Sequence, residues 1–210
     1  MSKKIKAENP TNSEFRIARG PAIELRQTED GEKPIITGYA SVFDSLSEDL
    51  GGFRETVSKG AFYRSLKEAA DIRALVDHDS GRIIGRTTSG TLRAWEDSTG
   101  LRVEIDPPDT SVARDLLTSI ERGDVTGMSF GFIVREDDWS QDDDGITREL
   151  RDVDIFDVSV VTFPAYPDTS VAVRSLEVWR ADTVEKTDEP VDESWREEIK
   201  ANRDRIEESS

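Results

Sequence analysis

Apolar residues recur along this chain mostly with a period of two, the spacing of strands half-buried against a core. AIELR (22–26) and IITGYASVFD (35–44) predict strands, separated by the turn-rich QTEDGEKP. SEDLGGF (47–53) predicts a loop. After FRETV, Ser58 stands as an N-cap for a helix over KGAFYRSLKEA (59–69), where Phe62, Leu66 and Ala69 have helical spacing. IRALVDH (72–78) predicts a strand ending in His78. IIGRTTSGTLRAWED (83–97) and GLRVEIDPP (100–108) predict two more, with a turn at Asp97–Gly100. DTSVARDLLTSIERG (109–123) carries the clearest helical pattern: Asp109 or Thr110 caps it, Val112, Leu116, Leu117 and Ile120 form one face, and Gly123 ends it. MSFGFIV (128–134) alternates like a strand, and DDWSQDDDG (137–145) reads as an acidic hairpin tip. TRELRDVDIFDVSVVTFP (147–164) is strand-rich up to Pro164, with Pro167 beyond.

The pattern fades at both ends. Residues 1–20 show little apolar periodicity and read as a flexible arm. Beyond Arg174 the composition turns charged. Residues 176–210 read as a charged linker, EKTDEPVDE (185–193), followed by a short amphipathic helix over 194–210 with Trp195, Ile199 and Ile206 on one side. That stripe would suit docking to a protein partner. The folded domain therefore spans residues 21–175, an α+β unit with a β-rich core and at least two flanking helices.

Composition narrows the chemistry. Of 210 residues, 35% are hydrophobic and 35% charged, which fits one core with polar tails. The net charge of −17 argues against general nucleic-acid affinity, because phosphates repel such a surface. No apolar run approaches the roughly 20 residues of a membrane span, and MSKKIKAENP lacks the apolar stretch of a signal peptide. The chain reads as cytosolic. With no cysteine and one histidine, His78, thiolate chemistry and two-histidine metal sites fall away, and no cofactor is expected. Any imidazole base must be His78.

GMSFGF (127–132) matches G-x-S-x-G, the pattern of a hydrolase nucleophile elbow. The context does not suit an elbow. Phe130–Val134 has a strand period where a helix should follow, and no histidine follows Ser129. A different arrangement keeps the nucleophile. Ser129 begins one predicted strand and His78 ends another, so the two can meet across a sheet, with Gly127 and Gly131 leaving space for a substrate backbone. On the residues alone, an ordinary strand serine and a solvated loop histidine fit as well.

Five segments in order carry a resemblance: ITGYASVFD (36–44), ETVSKGAFYRSL (55–66), IRALVDHD (72–79), GDVTGMSFGF (123–132) and FDVSVVTFPAYPDTSV (156–171). Together, over residues 20–173, they resemble the tailed-phage prohead maturation serine proteases, whose fold is related to herpesvirus assemblin. The resemblance implies a barrel-like, assemblin-like core and an endopeptidase that cleaves scaffold or major capsid protein extensions, and itself, inside the assembling procapsid in the host cytoplasm. It leaves room for a homo-oligomer. It implies Ser129 as nucleophile, His78 as base and Asp157, which precedes Val-Ser in the last segment, as third member, with Asp154 as runner-up. Arg148 is a candidate oxyanion donor. A catalytically silent scaffold or assembly protein with the same fold is the alternative.

Two other features lead elsewhere. With Gly145 as the loop glycine, a calcium loop over 140–151 would begin at Ser140 and end at Arg151, so its key acidic ligands are missing. Arg73, Arg82 and Arg86 near His78 could line a groove for acidic peptide.

Overall fold

The structure, a computed structural model, describes residues 12–18, 23–27, 34–68, 70–162 and 169–187. Two compact units divide after Ser175. In the first, ten strands among the described residues form two sheets. One sheet is antiparallel, in the order β2 (Glu24–Arg26), β3 (Ile35–Val42), β8 (Gly100–Ile105) and β7 (Leu92–Glu96). The other is mixed, in the order β1 (Glu14–Ile17), β9 (Gly127–Asp142), β10 (Gly145–Val161), β5 (Arg73–Val76) and β6 (Asp79–Arg86). Its sixth strand, β4 (Arg54–Val57), lies parallel to the first part of β10, and β5 lies parallel to the last part. Among the described residues no closed barrel forms. The sheet-rich class expected from the sequence holds, but the barrel-like closure does not, because each sheet ends on its own edge strands.

The core contains Ile36, Leu101, Val103, Ile105, Phe130 and Phe132, all buried. Phe62 meets Phe130 edge-on at 5.3 Å, and Phe130 stacks on Phe132 at 4.9 Å. Gly38 on β3 permits a close approach to β9, since a Cβ there would stand 2.9 Å from the Met128 sulfur. α2 (Ser111–Glu121) follows its sequence pattern. Thr110 Oγ1 accepts the Ala113 N–H at 3.3 Å, Ala113, Leu116 and Ile120 are buried, and Gly123 closes the end with a φ of +79°.

Other elements depart from expectation for physical reasons. The helix expected over 59–69 shrinks to α1 (Tyr63–Lys67), because Gly60 takes a φ of +91° and breaks any helix begun at Ser58. Ser58 donates its hydroxyl to Glu149 instead of capping. The strand expected over 83–97 breaks at a 3-10 turn, Thr87–Ser89, ended by left-handed Gly90. The hairpin tip expected at 137–145 narrows to Asp143 and Asp144, since β9 and β10 stay paired up to Asp142 and Gly145, with Arg148 and Arg151 set against Asp137 and Asp138. The flexible arm expected over 1–20 contains β1, paired with β9. Its inward side chains, Glu14 and Arg16, are charged, so apolar periodicity is silent there. α3 (Thr169–Thr187) likewise extends into the expected linker, without a glycine or proline in its length. The helix expected over 194–210 lies outside the described residues.

Candidate active site

β9 and β10 form an antiparallel pair in which Ser129 faces Ser159 and Gly131 faces Asp157. The period of two along β10 places Asp157 and Ser159 on one face. On the far side of β10, β5 pairs Leu75 with Ser159 and ends just before a two-residue turn. That turn is Asp77–His78, between paired Val76 and Asp79, with φ of +52° and +55°. Two consecutive left-handed residues are what a type I′ hairpin demands. Neither is glycine, and each such residue costs about 1 kcal/mol. The turn is tied across the end of β10. Asp77 donates its N–H to the Val160 carbonyl at 2.9 Å, and its carboxylate accepts the Thr162 N–H at 2.8 Å.

This turn brings the imidazole between two strand residues. His78 Nδ1 lies 2.8 Å from Asp157 Oδ1, and Nε2 lies 2.7 Å from Ser129 Oγ. The carboxylate can only accept, which assigns the proton to Nδ1 and leaves Nε2 of the neutral ring free to accept from serine. The three groups thus form one hydrogen-bonded line. Asp157 and Ser129 are buried, and the His78 side chain is 13% exposed. Gly131 makes the line fit. A Cβ there would stand 2.5 Å from Asp157 Oδ2 and 2.8 Å from the rings of Phe15 and Phe156. The space expected for substrate beside this glycine is therefore filled by the carboxylate and two rings, while a Cβ at Gly127 would press on Val161 at 3.3 Å.

Three further groups surround these side chains. The Ser129 hydroxyl also donates to the Arg16 carbonyl of β1 at 2.8 Å, so two acceptors compete for one proton. The Phe15 ring packs on His78 with centroids 4.4 Å apart. Ser159 Oγ donates to Asp157 Oδ1 at 2.9 Å and accepts the His78 N–H at 3.3 Å. Ser159 could have been found from period two alone, since it shares a strand face with Asp157. The β1 contacts could not, because a strand partner this distant leaves no local pattern.

The other sequence candidates lie elsewhere. Asp154 pairs with Arg64 at 2.5 Å and with Arg135. Burial raises its carboxyl, but the two guanidiniums outweigh burial and hold it below the usual range. Arg148 is no oxyanion donor here. It is buried, with Nη1 on Glu14 at 3.0 Å and Glu55 at 3.2 Å and Nε on Asp137 at 2.6 Å. Arg16 joins the same cluster, with Nε 2.8 Å from Glu55. Burial lifts the Glu55 carboxyl above its usual range despite both guanidiniums. Arg73 and Arg86 both pair with Asp71, and Arg82 with Asp77. No described group of histidine and carboxylate side chains is arranged to hold a metal ion.

Residues 21–184 match the family model of the caudovirus prohead serine proteases. The prohead protease of Enterobacteria phage HK97 is 30% identical over 175 residues, covering 77% of this chain and 73% of that protein. The capsid assembly protease of bacteriophage T4 overlays with a TM-score of 0.45 at 14% identity, covering 71% of this chain and 98% of that one. The chain belongs to the caudovirus prohead serine protease family and is a serine peptidase of phage procapsid maturation.

Proposed function

We propose that this prohead serine protease cleaves peptide bonds with Ser129 as nucleophile, His78 as general base and Asp157 as the carboxylate that orients it. The observation that carries the reading is the unbroken line from Asp157 Oδ1 through the imidazole to Ser129 Oγ, at 2.8 and 2.7 Å. Nε2 removes the hydroxyl proton as Oγ adds to the peptide carbonyl. The imidazolium so formed is stabilised by Asp157, which stays ionised. Nε2–H then protonates the departing amine, leaving an acyl-enzyme. A water, deprotonated by the same nitrogen, attacks the ester, releases the carboxylate product and returns the proton to Ser129.

The substrates in this reading are extensions of the major capsid or scaffold protein inside the assembling procapsid in the host cytoplasm. The protease's own polar ends are further targets. The family and the name of the HK97 relative support this assignment. Kinship with the assemblin fold belongs to the same proposal and rests on the order of the five sequence segments. A silent scaffold would have no use for the line of contacts that runs through the single histidine.

The test is intact mass over time, with wild type and Ser129→Ala each assembled with capsid or scaffold partner. Trimming in wild type alone is the expected result. Equal trimming in both removes Ser129 from the chemistry, and no trimming in either rejects these substrates.

A further inference from the structure

Beyond the three groups that perform the chemistry, one buried hydroxyl touches two of them. We infer that Ser159 is a positioning residue of the active site, holding the Asp157 carboxylate and the His78 backbone in one geometry. The inference rests on the Ser129–His78–Asp157 reading and adds to it the part that fixes its shape.

Ser159 is fully buried. Its hydroxyl proton goes to Asp157 Oδ1 at 2.9 Å, the same oxygen that faces His78 Nδ1 at 2.8 Å. Its lone pair receives the His78 N–H at 3.3 Å. One side chain therefore grips both ends of the Asp157–His78 contact, by the carboxylate on one side and the main chain on the other. Both grips are needed on physical grounds. A carboxylate on a strand turns about its terminal bond, and the broad preference of that torsion does not select one angle. A hydrogen bond at Oδ1 from the same strand face selects it. The His78 main chain sits at a φ of +55°, which a non-glycine residue holds only when its surroundings impose it. The Asp77 contacts to Val160 and Thr162 tie the first residue of the turn, and Ser159 ties the second.

Space-filling alone does not explain the residue. Alanine would suit a buried position between strands, whereas a hydroxyl there must find partners or lose free energy. Ser159 spends its donor and an acceptor on the two groups that align the base.

The test uses the whole chain and two readouts. The first is the rate at which a fluorophosphonate labels Ser129. Oγ bonds to phosphorus, fluoride leaves and the hydroxyl proton passes to His78, so the rate reports nucleophile activation without a known cleavage site. The second is the imidazole N–H signal of 15N-histidine protein in the Ser129→Ala background, where His78 is the only histidine. Ser159→Ala, with its fold checked by circular dichroism, should label about tenfold more slowly, since a hydrogen bond to a charged group is lost. Its Nδ1–H signal should shift or broaden. Ser159→Thr, which restores a hydroxyl, should recover much of both. Ser159→Cys keeps the shape with a weaker donor and should fall between, and it replaces alanine if that variant does not fold. Unchanged labelling together with an unchanged imidazole signal in a folded variant overturns the inference. An unlabelled wild type leaves the imidazole signal to decide it. A Ser129→Ala protein that still trims its partner overturns the parent reading instead, whatever Ser159 does.

Discussion

The Ser129–His78–Asp157–Ser159 cluster and the Glu14–Arg16–Glu55–Arg148–Asp137 cluster both draw on β9 and β10, and both bury polar groups. They differ in how charge is balanced. The ionic cluster sets three carboxylates against two guanidiniums, with contacts of 2.5–3.2 Å on many sides. The active-site cluster holds one carboxylate, a histidine and two hydroxyls, and its hydroxyl proton on Ser129 has a choice of acceptors. An array saturated with ion pairs is hard to rearrange and suits a brace. A sparsely charged line with one movable proton suits chemistry. Arg16 belongs to both, by its guanidinium to the brace and by its carbonyl to the nucleophile.

The largest effect that separates the clusters should come from Asp157→Asn. The amide keeps the shape but favours the wrong tautomer of His78, so Ser129 labelling and partner trimming should fall by about 10³- to 10⁴-fold with the melting temperature little changed. Asp154→Asn, acting on the runner-up carboxylate, should leave labelling within about twofold, because Asp154 touches Arg64 and Arg135 rather than His78. Equal losses from both variants would mean that the comparison is drawn in the wrong place.

Next in size is the brace. Arg148→Met leaves Glu14 and Glu55 buried beside one guanidinium fewer, which should cost about 3–5 kcal/mol. Thermal unfolding should show a drop on the order of 10 °C. Well below that temperature, the surviving folded protein should label Ser129 at a rate near that of wild type. A melting temperature unchanged by this variant would show that the brace is dispensable.

The smallest expected effect concerns an ion pair outside both clusters. A hydrogen bond from Arg86 is the main force holding the Asp71 carboxyl down to about 2. Its folded value lies below the unfolded one, so its stabilisation is present above the unfolded value, near 4, and is lost as pH falls through about 2. Asp71→Asn should flatten the acid limb of stability in that window and leave it unaltered near neutrality apart from a constant offset. Unfolding midpoints measured from pH 5 to 2 check this, and a parallel decline in both proteins would count against it.

Much of this was legible where burial is apolar. α2 keeps its Thr110 cap and buries Leu116 and Ile120 of its stripe, β8 alternates along most of its length, and β3 and β5 form where their apolar residues cluster, because hydrophobic burial writes a local pattern. The pattern fails at β1, where the inward residues are Glu14 and Arg16 and the apolar Phe15 and Ile17 are only half-buried. A strand buried through ion pairs inverts the expected alternation and reads as a polar arm. It also fails along the end of β9 beyond residue 136, where pairs such as Arg148 with Asp137 hold it against β10. For the site, Ser129, His78 and Asp157 came from the order of motifs, and the sheet brings those three side chains together. Arg148 is no oxyanion donor because it pairs with Glu14 and Glu55, residues far away in the chain, a contact that leaves no local pattern.

The His78 turn sets stability against activity during evolution in the laboratory. Its left-handed main chain is a place where glycine or asparagine is favoured over other residues. A screen that rewards heat resistance and ignores proteolysis is therefore drawn to replace the one imidazole the enzyme has. Variants recovered that way would be sturdier and inert, and their sequences would record how much free energy selection has left in that turn for the sake of turnover.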